Sequence, residues 1–388
     1  MGPLQGLRVI EMAGLGPGPF GTMVLSDLGA DVLRIDRAIS APSIAPEARF
    51  DPMGRGRRSV ALDLKHPKGA QTVLRLVEQA DVLIEGYRPG VMERLGLSPE
   101  ACWKRNERLI YARMTGWGQD GPLAHAAGHD INYIAITGAL HAIGRAGQPP
   151  TPPLSLLGDF GGGGSMLAVG VLAALYEARA SGKGQVIDVS IVDGTAQLMT
   201  SLWGHHARGA WIEQRGANML DSGAPFYEVY ETSDGHYMSV GAIEPAFFAN
   251  LLRVLKLDPA DLPPQHDRLQ WPKLKERIAA AFKTATRAAW EQAFQGVDAC
   301  VAPVLSLSEA ARHPHNASRN TFIDVAGLKQ PAPAPRFSRT PSTVRSATPR
   351  QGEHTRSSLR SWGLDDQEIA DLISSGVAMQ ANEDGTNE

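Results

Sequence analysis

The chain has 388 residues, enough for two or three domains at the usual size of about 100–200 residues each. Hydrophobic residues make up 43% and charged residues 20%, a globular balance able to bury a large core. The net charge of −3, with both signs interspersed, gives no concentrated basic face, so no nucleic-acid partner is expected.

The opening stretch MGPLQGLRVIEM has no charged segment followed by an apolar one, so no secretory leader is expected. From there the first 115 residues alternate. LRVIEM (7–12) reads as a strand and PFGTMVLSDLG (19–29) as a helix. DVLRID (31–36) and SVALDL (59–64) are the next strands, with a helix over 67–79. DVLIEG (81–86) precedes a helical GVMERLG (90–96), and RLIYARMTG (108–116) closes the series. Strands alternating with helices predict right-handed βαβ units around a parallel sheet, and their nearly unbroken apolarity predicts that both faces are covered.

Residues 161–180 read as one long buried helix, followed by a strand in QVIDVSIVDG (185–194) and a helix over roughly 193–210. The apolar run SMLAVGVLAALY (165–176) is too short to span a bilayer, so no membrane partner is expected. PFYEVYETSDGHYMSVGA (225–242) reads as a hairpin turning at Asp234-Gly235, and helical segments near 245–256, 272–285 and 287–296 follow. Proline density over 330–350 predicts an extended connector. Helical patterning returns over 352–376, and the last dozen residues are polar and expected to fray. The fold class is α/β: a large Rossmann-like domain over 1–195, a linker helix region over 196–224, a small α+β domain over 225–320, and over 321–388 a proline-rich return whose C-terminal helix rejoins the large domain.

The two cysteines, Cys102 and Cys300, lie far apart in no CxxC pair, which argues against a disulfide framework or zinc site and fits a reducing, cytoplasmic setting. There is no HExxH, and His205-His206 and His313-Pro314-His315 lack the partners of a metal site, so no metal is expected. No serine sits in a GxSxG elbow. GLGPGP (14–19) has Pro where a dinucleotide fingerprint needs its third glycine, so it reads as a tight strand-to-helix turn. Four cations are placed differently. Arg37, Lys65 and Arg88 follow successive strands, with Arg94 a turn or two later, so all lie beyond the carboxyl ends of a parallel sheet. Together they suit a polyphosphate such as that of a nucleotide or coenzyme A; singly, each also reads as a solvated surface cation.

Two helix starts carry the chemistry. In AGHDINY (127–133), Asp130 is a good N-cap by itself, but a cap does not need His129, whose charge changes near neutral pH. In GDFGGGGS (158–165), Asp159 also reads as an N-cap; alternatively the glycines let a ligand approach closely while the helix dipole keeps the carboxylate ionised, as a base or a nucleophile. Glu244, before Pro245, falls at another helix start.

Taken together, GLGPGPFGTMVLSDLGADVLRIDR, VALDLK, DVLIEGYRPGVMERLGL, AGHDINY, GDFGGGGS, GKGQVIDVSIVDG, NMLDSGAPFYEVY and VGAIEPAFF closely resemble the racemases of the class III CoA-transferase (CaiB–BaiF) family, over essentially residues 3–340. The resemblance implies a Rossmann-like large domain plus a small domain in an obligate interlocked homodimer. It implies an isomerase that interconverts 2R- and 2S-2-methylacyl-CoA thioesters by proton transfer through an enolate. His129 and Asp159 would be the acid/base pair, supported by Asp130 and by Glu244 reaching the site from the partner chain. Coenzyme A contacts carry over to Arg37, to Leu62, Asp63, Leu64 and Lys65, to Gly86, Tyr87 and Arg88, to Arg94, and to Gly128, His129, Asp130, Ile131, Asn132 and Tyr133. The acyl-CoA is the partner molecule and coenzyme A is part of it, so no separate cofactor is implied. In the family the acyl chain lies on a methionine-rich surface; Met199 and Met219 are candidates for it, although core packing is the favoured reading of either. The alternative within the family is a CoA-transferase in which Asp159 is the covalent nucleophile.

Overall fold

The computed structural model describes residues 2–38 and 48–381. Contacts divide the chain into two units, one of residues 1–137, 154–198 and 318–388, the other of 138–153 and 199–317.

The first unit is built on six parallel strands: β1 (Arg8–Met12), β2 (Asp31–Arg37), β3 (Arg58–Leu62), β4 (Val82–Glu85), β5 (Ile110–Thr115) and β6 (Val186–Ser190). Their order across the sheet is β3-β2-β1-β4-β5-β6, so the chain reverses its direction of travel between β1 and β4. Alternate residues serve opposite faces. Ile10, Leu33, Val60, Leu83 and Tyr111 pack on one side with Leu359 and Trp362 of the C-terminal segment. Val9, Val32, Val82 and Ile110 pack on the other against Leu167 and Val171. Both faces are therefore dry, as the apolar strands require.

Leu167 and Val171 belong to a helix that begins earlier than expected. It winds as a π-helix over Leu156–Ser165 and continues as an α-helix over Met166–Ser181. At 26 residues it is longer than the apolar run read from the sequence, and long and apolar enough to cross a bilayer by length and composition alone. Its buried residues Leu167, Ala168, Val171, Ala174 and Ala178 face this unit's own core. The four glycines also have a packing reason. A Cβ on Gly194 would lie 1.8 Å from the Gly162 carbonyl oxygen, so the helix Ile191–Leu198 reaches the π-helix backbone to backbone.

The second unit holds the antiparallel strands β7 (Tyr227–Glu231), β8 (Tyr237–Gly241) and β9 (Val301–Pro303). The hairpin turns at Asp234-Gly235, with Gly235 at φ 75°. Phe226, Tyr230, Leu251, Leu274, Ile278 and Phe282 form its core. Residues 138–153 join this unit because Arg215 donates to the His141 and Gln148 carbonyls, both at 2.9 Å, and Arg145 pairs with Glu228. The helix expected over 193–210 breaks at Met199 into Ile191–Leu198 and Thr200–Ala207, one in each unit.

After 318 the chain returns through an antiparallel pair, β10 (Phe322–Val325) and β11 (Leu328–Pro331), and an irregular proline-rich run. The helices Thr355–Ser361 and Asp366–Ser374 follow. β12 (Ala378–Met379) then pairs antiparallel with β3, where fraying was expected; the remainder of that tail, 382–388, lies outside the described residues.

Candidate active site

Reversal of strand order opens a crevice at the carboxyl ends of β1 and β4, because the segments leaving these strands turn to opposite faces. A cavity of about 550 Å³ lies there. Leu15, Gly16 and Pro17 after β1 line it, as do Gly86, Tyr87 and Arg88 after β4 and Met114, Thr115 and Gly116 at the end of β5. The remaining wall includes Gly128, His129, Asn132, Tyr133 and Asp159. The histidine and the carboxylate thus share one cavity, although thirty residues separate them.

Each is held by its helix start. His129 is itself the N-cap of the helix Asp130–Ile136, and its backbone N–H donates to Asn132 Oδ1 at 3.0 Å. Asp130 is consequently not the cap. It is buried at 8% exposure, outside the cavity lining, and its Oδ1 accepts the backbone N–H of Asp159 at 2.7 Å. This bond ties the two helix starts together. Tyr133 donates from its hydroxyl to the Gly128 carbonyl, and Trp117 packs edge-on against its ring at 4.7 Å.

Asp159 is likewise not a cap; it lies in the first turn of the π-helix, after Ser155. Burial raises its pKa, and the neighbouring Asp130 charge raises it further, against the Ser155 hydrogen bond and His129. Desolvation and the like charge thus work against the ionisation that the helix dipole was expected to favour. Burial and the charge of Asp159 also raise Tyr133. The GLGPGP turn was read as structural only. Gly16, at φ 70°, would put a Cβ 3.3 Å from Asp159 Oδ2, so this turn is a wall of the site.

The other residues divide by position. Arg37 ends β2, is exposed, and is close enough to Tyr87 to oppose the upward shift that burial gives that phenol. Asp63, Leu64 and Lys65 form the turn after β3, where Asp63 Oδ1 accepts the Lys65 N–H at 3.0 Å. Leu62 is fully buried in the core, and its carbonyl accepts the Ala38 N–H at 3.2 Å. Arg94 ends the short helix Val91–Arg94 and is exposed, as is Ile131; neither lines the cavity. Glu244 belongs to the second unit, as the exposed N-cap of the helix Pro245–Val254. Met199 and Met219 line a cavity of about 720 Å³ within that unit. Among the described residues, no group of three or more His, Cys, Asp or Glu is placed to hold a metal ion.

Residues 4–355 match the sequence pattern of CoA-transferase family III. The chain is 49% identical to alpha-methylacyl-CoA racemase of Mus musculus over 376 residues, covering 96% of this chain and 97% of that protein. It is 47% identical to alpha-methylacyl-CoA racemase of Homo sapiens over 382 residues, with the same coverage. Its fold is similar to the crystal structure of a CaiB/BaiF family protein from Brucella suis, with a TM-score of 0.81 at 25% identity, covering 93% of this chain and 99% of that one.

Proposed function

The chain belongs to CoA-transferase family III, and on that footing we propose that it is an isomerase interconverting 2R- and 2S-2-methylacyl-CoA thioesters. The observation that carries the reading is the pair of proton carriers, His129 and Asp159, lining one cavity at the carboxyl edge of the sheet. Relatives that share nearly half of the sequence, over almost all of both chains, bear the racemase name.

The chemistry asks for such a pair. A proton on the carbon next to a thioester is weakly acidic, and its removal leaves an enolate. Inverting that carbon needs a base on one face and an acid on the other, exchanging roles with the direction of reaction. Each positioned group contributes typically 10²–10⁴ in rate. Asp159 must hold a proton in one direction of the reaction, and burial with the charge of Asp130, by raising its pKa, eases that protonation. We assign removal of the 2S proton to His129 and of the 2R proton to Asp159. Asp130 would hold the aspartate through its backbone, and first-turn amides beside it would meet the enolate oxygen.

Coenzyme A, as part of the substrate, would run along Tyr87 and Arg88 with its phosphates toward Arg37, Lys65 and Arg94; no separate cofactor or metal is invoked. Met199 and Met219 are the candidates for the surface that takes the acyl chain. The working form is an interlocked homodimer in the cytoplasm, with Glu244 of the partner subunit supporting the acid/base pair.

The test is incubation with one enantiomer of a 2-methylacyl-CoA in deuterated water without any acceptor acid. Loss of optical activity with deuterium uptake at the 2-position is expected. A mixture that stays inert until a free carboxylic acid is added, and then moves coenzyme A to it, would replace this reading with transfer through an Asp159 anhydride.

A further inference from the structure

Glu85 ends β4, is 4% exposed, and directly precedes the Gly86–Arg88 segment that lines the cavity. A buried carboxylate at this place needs a reason, since an apolar residue would close the strand with less desolvation. Its surroundings supply one. Glu85 Oε2 accepts the backbone N–H of Tyr87 at 2.8 Å, which folds the first residues after the strand back onto the strand end. Arg113 on β5 approaches Glu85 Oε1 only to 3.8 Å, and its Nε, although buried, has no hydrogen-bond partner. The same guanidinium donates to Gln119 Oε1 at 2.9 Å, pairs with Glu93 and lies over the Tyr111 ring. On β6, Asp188 adds a third acid. On β1, the charged neighbour Glu11 is already engaged by Arg57. One cation therefore serves several carboxylates, and Glu85 is incompletely neutralised.

We propose that Glu85 is a positioning residue whose ionised carboxylate clamps the Gly86–Arg88 segment in the form that receives coenzyme A, so that affinity for coenzyme A falls as Glu85 takes up a proton. Burial pushes its pKa up to about 7, against the Tyr87 N–H and Arg113, with Glu93 and Asp188 adding to the rise. The sign follows from linkage. A carboxylate is a stronger acceptor for the Tyr87 N–H than a neutral acid, so the clamped form binds fewer protons than the unclamped one. A ligand that requires the clamp binds best above about pH 7 and loses affinity as the pH falls through it. The difference between a charge-assisted and a neutral bond corresponds to roughly threefold to tenfold in affinity.

The inference rests on the reading that this cavity takes coenzyme A. The experiment measures calorimetric dissociation constants of free coenzyme A for the parent protein and Glu85→Gln between about pH 6 and pH 8.5. Glutamine keeps an acceptor oxygen but cannot titrate, and titration of the ligand itself cancels in the comparison. The parent should weaken roughly threefold to tenfold more than Glu85→Gln on the acid side. Superimposable profiles overturn the role of Glu85 and leave the function standing. Failure of both proteins to bind coenzyme A at any pH overturns the function and this inference with it. If Glu85→Gln does not fold, hydrogen exchange of the parent's 86–91 peptide decides. Corrected for intrinsic rates, protection should drop at acid pH, and unchanged protection overturns the clamp.

Discussion

Replacing Gly158 with alanine tests how the two helix starts are joined. A Cβ there would lie 2.3 Å from Asp130 Oδ1 and 2.8 Å from Ile134 Cγ2, and Gly158 is buried. Neither neighbour is free to yield. Asp130 is fixed by its 2.7 Å bond from the Asp159 N–H, and Ile134 is fully buried. The helix Asp130–Ile136 must therefore move outward or the bond must break. Overpacking costs about 1–3 kcal/mol, and loss of a hydrogen bond to a charged group about 1.5–3 kcal/mol, so either route costs about 1–3 kcal/mol. In a protein of this size that is a fall of about 1–4 °C in Tm. The same movement shifts His129 and Asp159 relative to the substrate, and a displacement of ~1 Å costs on the order of 10² in rate. The assays are thermal denaturation and deuterium exchange at the 2-position of a 2-methylacyl-CoA. Gly204→Ala is the control, because it makes the same change in a helix with nothing within 4 Å. If Gly158→Ala melts within about 1 °C of the parent and exchanges at the parent rate, the helices do not meet as described.

Three further outcomes are expected. His129→Ala and Asp159→Ala should each lose about 10²–10⁴ in racemisation while retaining coenzyme A binding, with His129→Ala slower to exchange deuterium from the 2S than from the 2R enantiomer. Asp130→Asn removes a charge that raises the Asp159 pKa, so Asp159 should stay ionised to lower pH; the acid limb of kcat/KM for the 2R substrate then moves down in pH, and an unmoved limb rejects the coupling. Arg57→Ala leaves Glu11 buried without the guanidinium that now lies 2.5 Å from it; chemical denaturation should show a loss of about 3–5 kcal/mol, against a loss under about 1 kcal/mol for exposed Arg105→Ala, whose partner Glu78 is a surface group.

Much of the first unit was legible because its signals are local. Apolar runs of six to nine residues separated by helical periodicity mark β1, β2, β3, β4 and β5 to within two residues, and Asp234-Gly235 marks the hairpin between β7 and β8. Chain direction in such units also placed Lys65 and Arg88 beyond the carboxyl ends of β3 and β4, whereas Arg37, expected beyond β2, is its last residue. His129 and Asp159 stood out by residue type at two helix starts.

Their electrostatic character did not, since burial and the proximity of Asp130 to Asp159 depend on contacts between segments far apart in the chain. For the same reason GLGPGP read as a turn although it walls the cavity, and the glycines after Asp159 read as ligand space although Gly162 meets Gly194. Two residues of β12 carry too little periodicity to mark a strand; only the open edge of β3 makes them one. What a residue prefers locally is written within a few neighbours of it, whereas its charge state and its partners are fixed by whichever distant segment the fold packs against it.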